Sequence, residues 1–278
     1  ILEGILEGLP KSDFDLRVFY LDSKRQPSVG IQEQRTDSIA RIIFEEQPSA
    51  VIVSDDNAVA YLVVSYLNAS SIPIVFCGVN WSVDHYDLDR SHITGMLEIL
   101  PLRECITILK KEFPNTTTLT VISENSLSEQ NNTLLLDTLY RNLGLKPEYL
   151  LVDTFEEWKE EFRRANETSE AIYLPTNGAI KGWNDEEARE FVEAHINRPV
   201  FTCDDFMMEY CIFGLTKVPR EQGDWAAEAV VNILSGTSPE EIPVTSNQRT
   251  VPYFNTNLSE FSGLMQDSEW AIKANKVD

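Results

Sequence analysis

Residues 50–81 read AVIVSDDNAVAYLVVSYLNASSIPIVFCGVNW, and this stretch decides the fold. Ala50, Val51, Ile52 and Val53 form an apolar, β-branched run that stops at Ser54, Asp55, Asp56 and Asn57. A helix-length segment follows from Ala58 to about Asn68. A second apolar run, Ile74 to Cys77, stops at Gly78, Val79, Asn80 and Trp81. Short runs that are apolar on both faces suit parallel strands buried between helix layers, so the stretch predicts a strand–helix–strand unit. Both polar stops follow the carboxyl ends of strands, the edge where open parallel sheets bind ligands.

The same alternation extends outward in both directions. Upstream, Ile1, Leu2, Ile5, Leu6 and Leu9 share one helical face that ends near Pro10. Residues 16–21 read as a strand ending at 22–25, and residues 31–47 as an amphipathic helix burying Ile39, Ile42, Ile43 and Phe44. A doubly wound domain normally opens on a strand, so an upstream strand and any export signal are expected to precede Ile1. Downstream, residues 93–96 read as a short strand, and Pro101 opens a helix to Phe113.

The pattern then restarts with strands at 118–122, 145–152, 170–174 and 199–202. Helices are expected between them at 130–143, 155–166 and 186–195, and polar stops at 123–126, 175–178 and 203–206. A strand at 213–218 leads into a helix at 221–235 closed by Gly236. Extended segments at 242–245 and 250–254 and a polar helix finish the chain. Two βαβ series therefore appear, one to about Met96 and one from about Pro101, and imply parallel sheets covered by helices. Two such lobes would face a cleft, a preferred small-molecule site.

Composition narrows the function. A chain of 278 residues accommodates two domains. The net charge of −22 argues against nucleic-acid or anionic-membrane binding, which need basic surfaces. No apolar run reaches the roughly 18–20 residues that span a bilayer, so no direct membrane insertion is expected. The four cysteines show no CxxC spacing; a buried free thiol is the ordinary outcome for Cys77 and Cys203, while a Cys203–Cys211 disulfide stays open. His85, His92 and His195 are scattered, read as surface-loop residues, and form no ligand cluster. No metal and no cofactor is expected.

Catalytic fingerprints are missing: there is no GxSxG, no GxxxxGK[ST] and no GxGxxG after a strand. The acid pairs Asp55–Asp56 and Asp204–Asp205 allow three readings. They could serve acid–base or metal chemistry, cap the helices that follow, or accept a ligand's amino group. Asn57, Asn80, Asn125 and Asn177 each sit just past a strand end. One asparagine there is ordinary turn chemistry, but four at equivalent places suit holding a polar ligand. Trp81 and Trp183 follow two of the stops, as ligand walls or as packing. The Asn-x-Ser/Thr triplets at Asn68, Asn80 and Asn115 are read as chance matches.

Several motifs together carry a resemblance. SDDNA at 54–58, PIVFCGVN at 73–80, and HITGMLEILPL at 92–102 with its helix and FPN turn at 113–115 are joined by LDSKR at 21–25. Later come YLPTN at 173–177, PVFTCDDFM at 199–207, and REQGDWAAEAVVNILSG at 220–236 with PEEIPV at 239–244. In order and spacing, from Ile1 to about Leu264, these resemble the ABC-transporter substrate-binding proteins of the type 1 periplasmic-binding fold. The likeness is nearest to the branch also found as sensor domains of membrane histidine kinases.

The resemblance implies two doubly wound parallel-sheet lobes joined by a three-segment hinge, with the family's first strand absent. Lobe 1 would hold 1–100 plus 216–243, lobe 2 would hold 101–215 plus 244–264, and 265–278 would be a tail. The function implied is a non-enzymatic, extracytoplasmic solute-binding protein of a bacterial periplasm. It would close around a small polar molecule, of amino-acid type or related, and present it to an ABC-transporter permease. The alternatives are a sensing domain of a membrane signalling protein and, more weakly, an enzyme using the paired carboxylates. Expected solute contacts are Asp56, Asn57, Asn80, Trp81, Glu124, Asn125, Thr176, Asn177, Asp204 and Asp205. The lobe-two stop carries Asn177 and Gly178 where relatives have an acidic or polar pair, so a relative's ligand does not transfer.

Overall fold

The computed structural model describes residues 1–277 apart from Lys24, Arg25 and Pro27. In chain order the elements begin α1 (Leu2–Gly8), α2 (Val29–Glu46), β1 (Val51–Ser54) and α3 (Asp56–Ala58), which widens into a π-helical stretch at Val59–Leu67. Next come β2 (Ile74–Asn80), β3 (Ile93–Glu98), α4 (Leu102–Glu112), β4 (Thr118–Glu124), α5 (Leu127–Asn142) and β5 (Lys146–Val152). They continue with α6 (Phe155–Thr168), β6 (Ile172–Tyr173), α7 (Asp185–His195), β7 (Val200–Thr202), β8 (Phe213–Lys217) and α8 (Pro219–Leu234). The last are β9 (Thr245–Ser246), β10 (Thr250–Asn255), α9 (Thr256–Ser262), α10 (Glu269–Lys273) and β11 (Asn275–Val277).

The chain divides into two compact units, Ile1–Ile99 with Val218–Arg249, and Leu100–Lys217 with Thr250 onward. The first holds a four-stranded sheet in the order β1-β2-β3-β9, parallel throughout. Alternate residues of β2 go to opposite cores. Ile74 and Phe76 pack with Ala40 and Ile43 of α2 and with Val59, Leu62 and Val63 of the π-helical stretch after α3. Val75 and Cys77 pack with Ile5, Leu9, Ala226 and Val230 of α1 and α8. This two-sided burial is why β2 reads as an unbroken apolar run rather than as alternation. Helices α1 and α8 meet backbone to backbone at Gly223, where an added Cβ would lie 2.0 Å from the Ile1 carbonyl oxygen.

The second unit carries a seven-stranded sheet in the order β11-β10-β8-β7-β6-β4-β5. Strands β5, β4, β6, β7 and β8 are parallel; β10 runs antiparallel to β8. Tyr173, Phe201 and Phe213, on three neighbouring strands, stack at 5.0 and 5.5 Å between ring centroids. A second aromatic cluster joins Phe155, Trp158, Phe162 and Phe191 of α6 and α7.

Four expectations are corrected. Residues 16–20 make no ladder bonds among the described residues, and Val18, Phe19 and Tyr20 are exposed. Their alternation is strand-like, but a strand exists only where a neighbour satisfies its backbone. The stop expected at 22–25 lies partly outside the described residues, at Lys24 and Arg25. Residues 244–249, expected with the second lobe, go with the first because β9 pairs Thr245 and Ser246 with Met96 and Leu97. The segment 265–278, expected as a tail, returns to the second sheet through β11 on β10. Finally, His92 is buried rather than in a surface loop, because it leads directly into β3 with its Nε2 3.3 Å from the Leu67 carbonyl. All four cysteines are free and buried, and Cys203 faces Cys105, with 3.7 Å between sulfurs, rather than Cys211.

Candidate functional site

Each unit presents a strand-end edge that gathers the polar stops. In the first unit, β1 ends at Ser54 and the chain turns at Asp55, whose φ of 83° and ψ of 152° are ordinarily left to glycine. Asp55 occupies the N-cap of α3 without a side-chain capping bond, so the hydrogen-bonded form of the capping reading is not what holds this acid pair. Asp56 follows in the first turn. Its Oδ2 accepts from the Asn80 side-chain amide at 2.6 Å and from the Asn80 backbone N–H at 3.3 Å. Two predicted residues from two strand ends are thereby joined.

Burial pushes the Asp56 carboxyl above its usual range, against the lowering effect of the Asn80 hydrogen bonds, and Glu98 adds a like charge. Tyr86, on the turn after β2, has its hydroxyl raised to about 12 by burial and by the neighbouring Asp56 and Asp55 charges. Asn57 donates its side-chain amide to Ser23 Oγ at 3.0 Å. Trp81 is half-buried with φ 63°, and its N–H donates to the Glu98 carbonyl at 3.1 Å. The β2 strand carries a bulge just before these residues: between the pairs Phe76↔Gly95 and Val79↔Leu97 it uses one residue more than β3.

In the second unit the stops behave differently from one another. Glu124, at the end of β4, is fully buried and accepts from the Ala179 N–H at 2.6 Å and the Thr176 hydroxyl at 3.4 Å. Its carboxylate is committed to shaping the 176–179 turn. Asn125 donates to Asp153 at 3.3 Å and accepts from Gln130 at 2.9 Å. Thr176 and Asn177 are half-buried on that turn, which closes with the Ile180 N–H on the Asn177 carbonyl. Asp204 is buried and pairs with Lys217 at 3.1 Å, joining the ends of β7 and β8. Asp205 is exposed and accepts from the Phe206 N–H at 2.9 Å. Phe206 itself is exposed beside it.

Trp183 is resolved as packing: it meets Phe155, Trp158 and Tyr210 at 5.0, 4.9 and 5.2 Å, and its Nε1 donates to Asp185. Four residues at these edges escaped sequence reasoning: Tyr86, Glu98, Phe206 and Lys217. Glu98 and Lys217 are the last residues of β3 and β8, so strand-end position could have marked them. Phe206 lies within the stop read at 203–206 without being singled out, and Tyr86 gave no signal beyond being aromatic. Among the described residues no three His, Cys, Asp or Glu are grouped to hold a metal ion, and no helix is long and apolar enough to cross a membrane.

No curated protein matches the sequence. Solved structures do match in fold. The ABC domain in complex with L-Trp from Streptococcus pneumonia shares 14% identity, with 99% of this chain and 94% of that chain covered at a TM-score of 0.73. A ligand-free, open substrate-binding protein with adhesive properties from Clostridium difficile shares 16%, with 100% and 93% covered at 0.70. A periplasmic ribose ABC transporter structure from Conexibacter woesei shares 14%, with 99% and 93% covered at 0.55. These likenesses are of fold, and the fold is the expected α/β architecture of type 1 periplasmic-binding proteins. The family described as ABC transporter substrate binding protein matches residues 1–277, and the chain belongs to that family of binding proteins rather than enzymes.

Proposed function

We propose that this protein is an extracytoplasmic solute-binding component of an ABC transporter. In this reading it takes a small polar molecule of amino-acid type at its strand-end edges, closes its two units on it by hinge motion, and presents it to a membrane permease. Family membership over residues 1–277 is the observation that carries the reading. The asparagines, threonine and acids gathered at the ends of parallel strands support it, because they offer directional donors and acceptors without an activated nucleophile.

Exposed Asp205 takes the solute's amino group, and Thr176, Asn177 and Asn57 take its polar end. Trp81 lies along its apolar part. Asp56 and Asn80 act as a bonded pair, and Glu124, Asn125 and Asp204 shape the edge through their own partners. Amino acids are the first class to try, because the exposed Asp205 carboxylate and the Asn and Thr side chains complement an ammonium and a carboxylate.

The test is a thermal-shift screen with amino acids, small acids, nucleosides and sugars. A solute present at 100 times its Kd adds about 2.7 kcal/mol of stability. One class is expected to raise Tm, and Asp205→Asn is expected to weaken that shift. If no class moves Tm, the reading fails.

A further inference from the structure

The chain passes between its two units three times, after Ile99, after Lys217 and after Arg249. On the first unit's side, three side chains that are each nine-tenths or more buried, Glu221, Gln222 and Asn247, bind the backbone at or near these crossings. Asn247 makes a reciprocal pair with Ile99: its Oδ1 accepts from the Ile99 N–H at 2.7 Å and its Nδ2 donates to the Ile99 carbonyl at 3.1 Å. Glu221, in the first turn of α8 just after the second crossing, accepts from the Gln248 N–H at 3.0 Å and the Arg249 N–H at 2.8 Å, just before the third.

Gln222 reaches the other way. The β2 bulge takes the Gly78 N–H out of the ladder, and Gln222 Oε1 accepts it at 3.0 Å. The same carboxamide donates from Nε2 to the Leu97 carbonyl of β3 at 2.9 Å. It therefore ties the bulged Gly78 of β2 to Leu97 of β3, whose carbonyl also accepts from the Asn247 N–H at 3.3 Å, two residues before Asn80 and one before Glu98, whose carbonyl holds the Trp81 N–H. A carboxamide suits the place because one end must accept and the other must donate. A buried N–H left alone there would cost far more than an exposed one.

We infer that Glu221, Gln222 and Asn247 form a polar clasp that makes the three crossings and the solute-facing strand ends of the first unit one rigid block. Gln222 is the positioning residue that aims Asn80 and Trp81. The clasp gives the hinge a fixed end, so flexing between units falls on the residues just beyond it. Its meaning for solute binding rests on the proposed function, but its existence does not.

Amide hydrogen exchange of the whole, solute-free chain tests it. In Gln222→Leu, exchange at Gly78 is expected to speed up about ten-fold or more while Val75 and Cys77 keep their protection. Gln222→Glu, which retains an acceptor for Gly78, is expected to restore that protection. Should Gln222→Leu fail to fold, Asn247→Ala gives the same reading at Ile99, and Glu221→Ala at Gln248 and Arg249. Unchanged exchange at these amides, or an equal loss across β2 and β3, overturns the clasp. A local loss with no solute ever found keeps the clasp and removes the proposed function; a bound solute with unchanged exchange does the reverse.

Discussion

Asp55 gives the sharpest prediction because its backbone can be tested apart from its side chain. Its φ of 83° and ψ of 152° place a residue with a Cβ where glycine is at ease, a conformation that costs of order 1–3 kcal/mol. Glycine gives back about 0.5–1 kcal/mol through the greater freedom of its unfolded chain. Comparing Asp55→Gly with Asp55→Ala removes the carboxylate and every contact it makes from both sides of the difference. The glycine variant is therefore expected to be more stable than the alanine variant by about 1–2 kcal/mol, read from urea midpoints at constant m value. In an ordinary helical position the order is the reverse, with alanine ahead by about 1 kcal/mol, so the sign decides. An alanine variant equal to or above the glycine variant would refute the strain argument. On the proposed reading, strain at this edge trades stability for function, so Asp55→Gly is expected to gain stability without improving solute binding.

Glu170 accepts from the Thr117 and Thr118 N–H groups at 2.6 and 2.9 Å, which hold its carboxyl down at about 2 against an ordinary 4.5. A depressed folded pKa means the stability it confers is complete above about pH 4.5 and is lost as pH falls towards 2. Glu170→Gln is expected to flatten the acid limb of the stability curve in that window, and an unchanged limb would show that these bonds do not hold the carboxylate. Asp204→Ala leaves the Lys217 ammonium with little water and is expected to cost about 3–5 kcal/mol, most of it recovered when Lys217→Met is added. A double variant as unstable as the sum of the singles would deny the pairing. Gly223→Ala, although favoured by helix propensity, drives a Cβ into the Ile1 carbonyl. It is expected to lower stability by about 1–3 kcal/mol, and a gain in Tm would mean α1 is not held against α8.

What the sequence by itself determined was the pattern set by burial. β2 is apolar on both faces because helices cover both faces of its sheet, and that requirement is written residue by residue in 74–77. The polar stops were equally legible, since a chain leaving a buried sheet must satisfy its backbone and meet water. Residues 16–20 failed for the complementary reason: alternation records which side chains face inward, but not whether a neighbouring strand is there to bond. Only tertiary structure decided how the stops divide their work. Asp56 met Asn80, Glu124 turned onto the 176–179 backbone, Trp183 joined an aromatic cluster, and Lys217 came to Asp204. It likewise brought Gln222 from 144 positions away to the Gly78 amide. Hydrogen bonds and ion pairs are fixed by distances of about 3 Å between residues far apart in the chain, and no local periodicity encodes them.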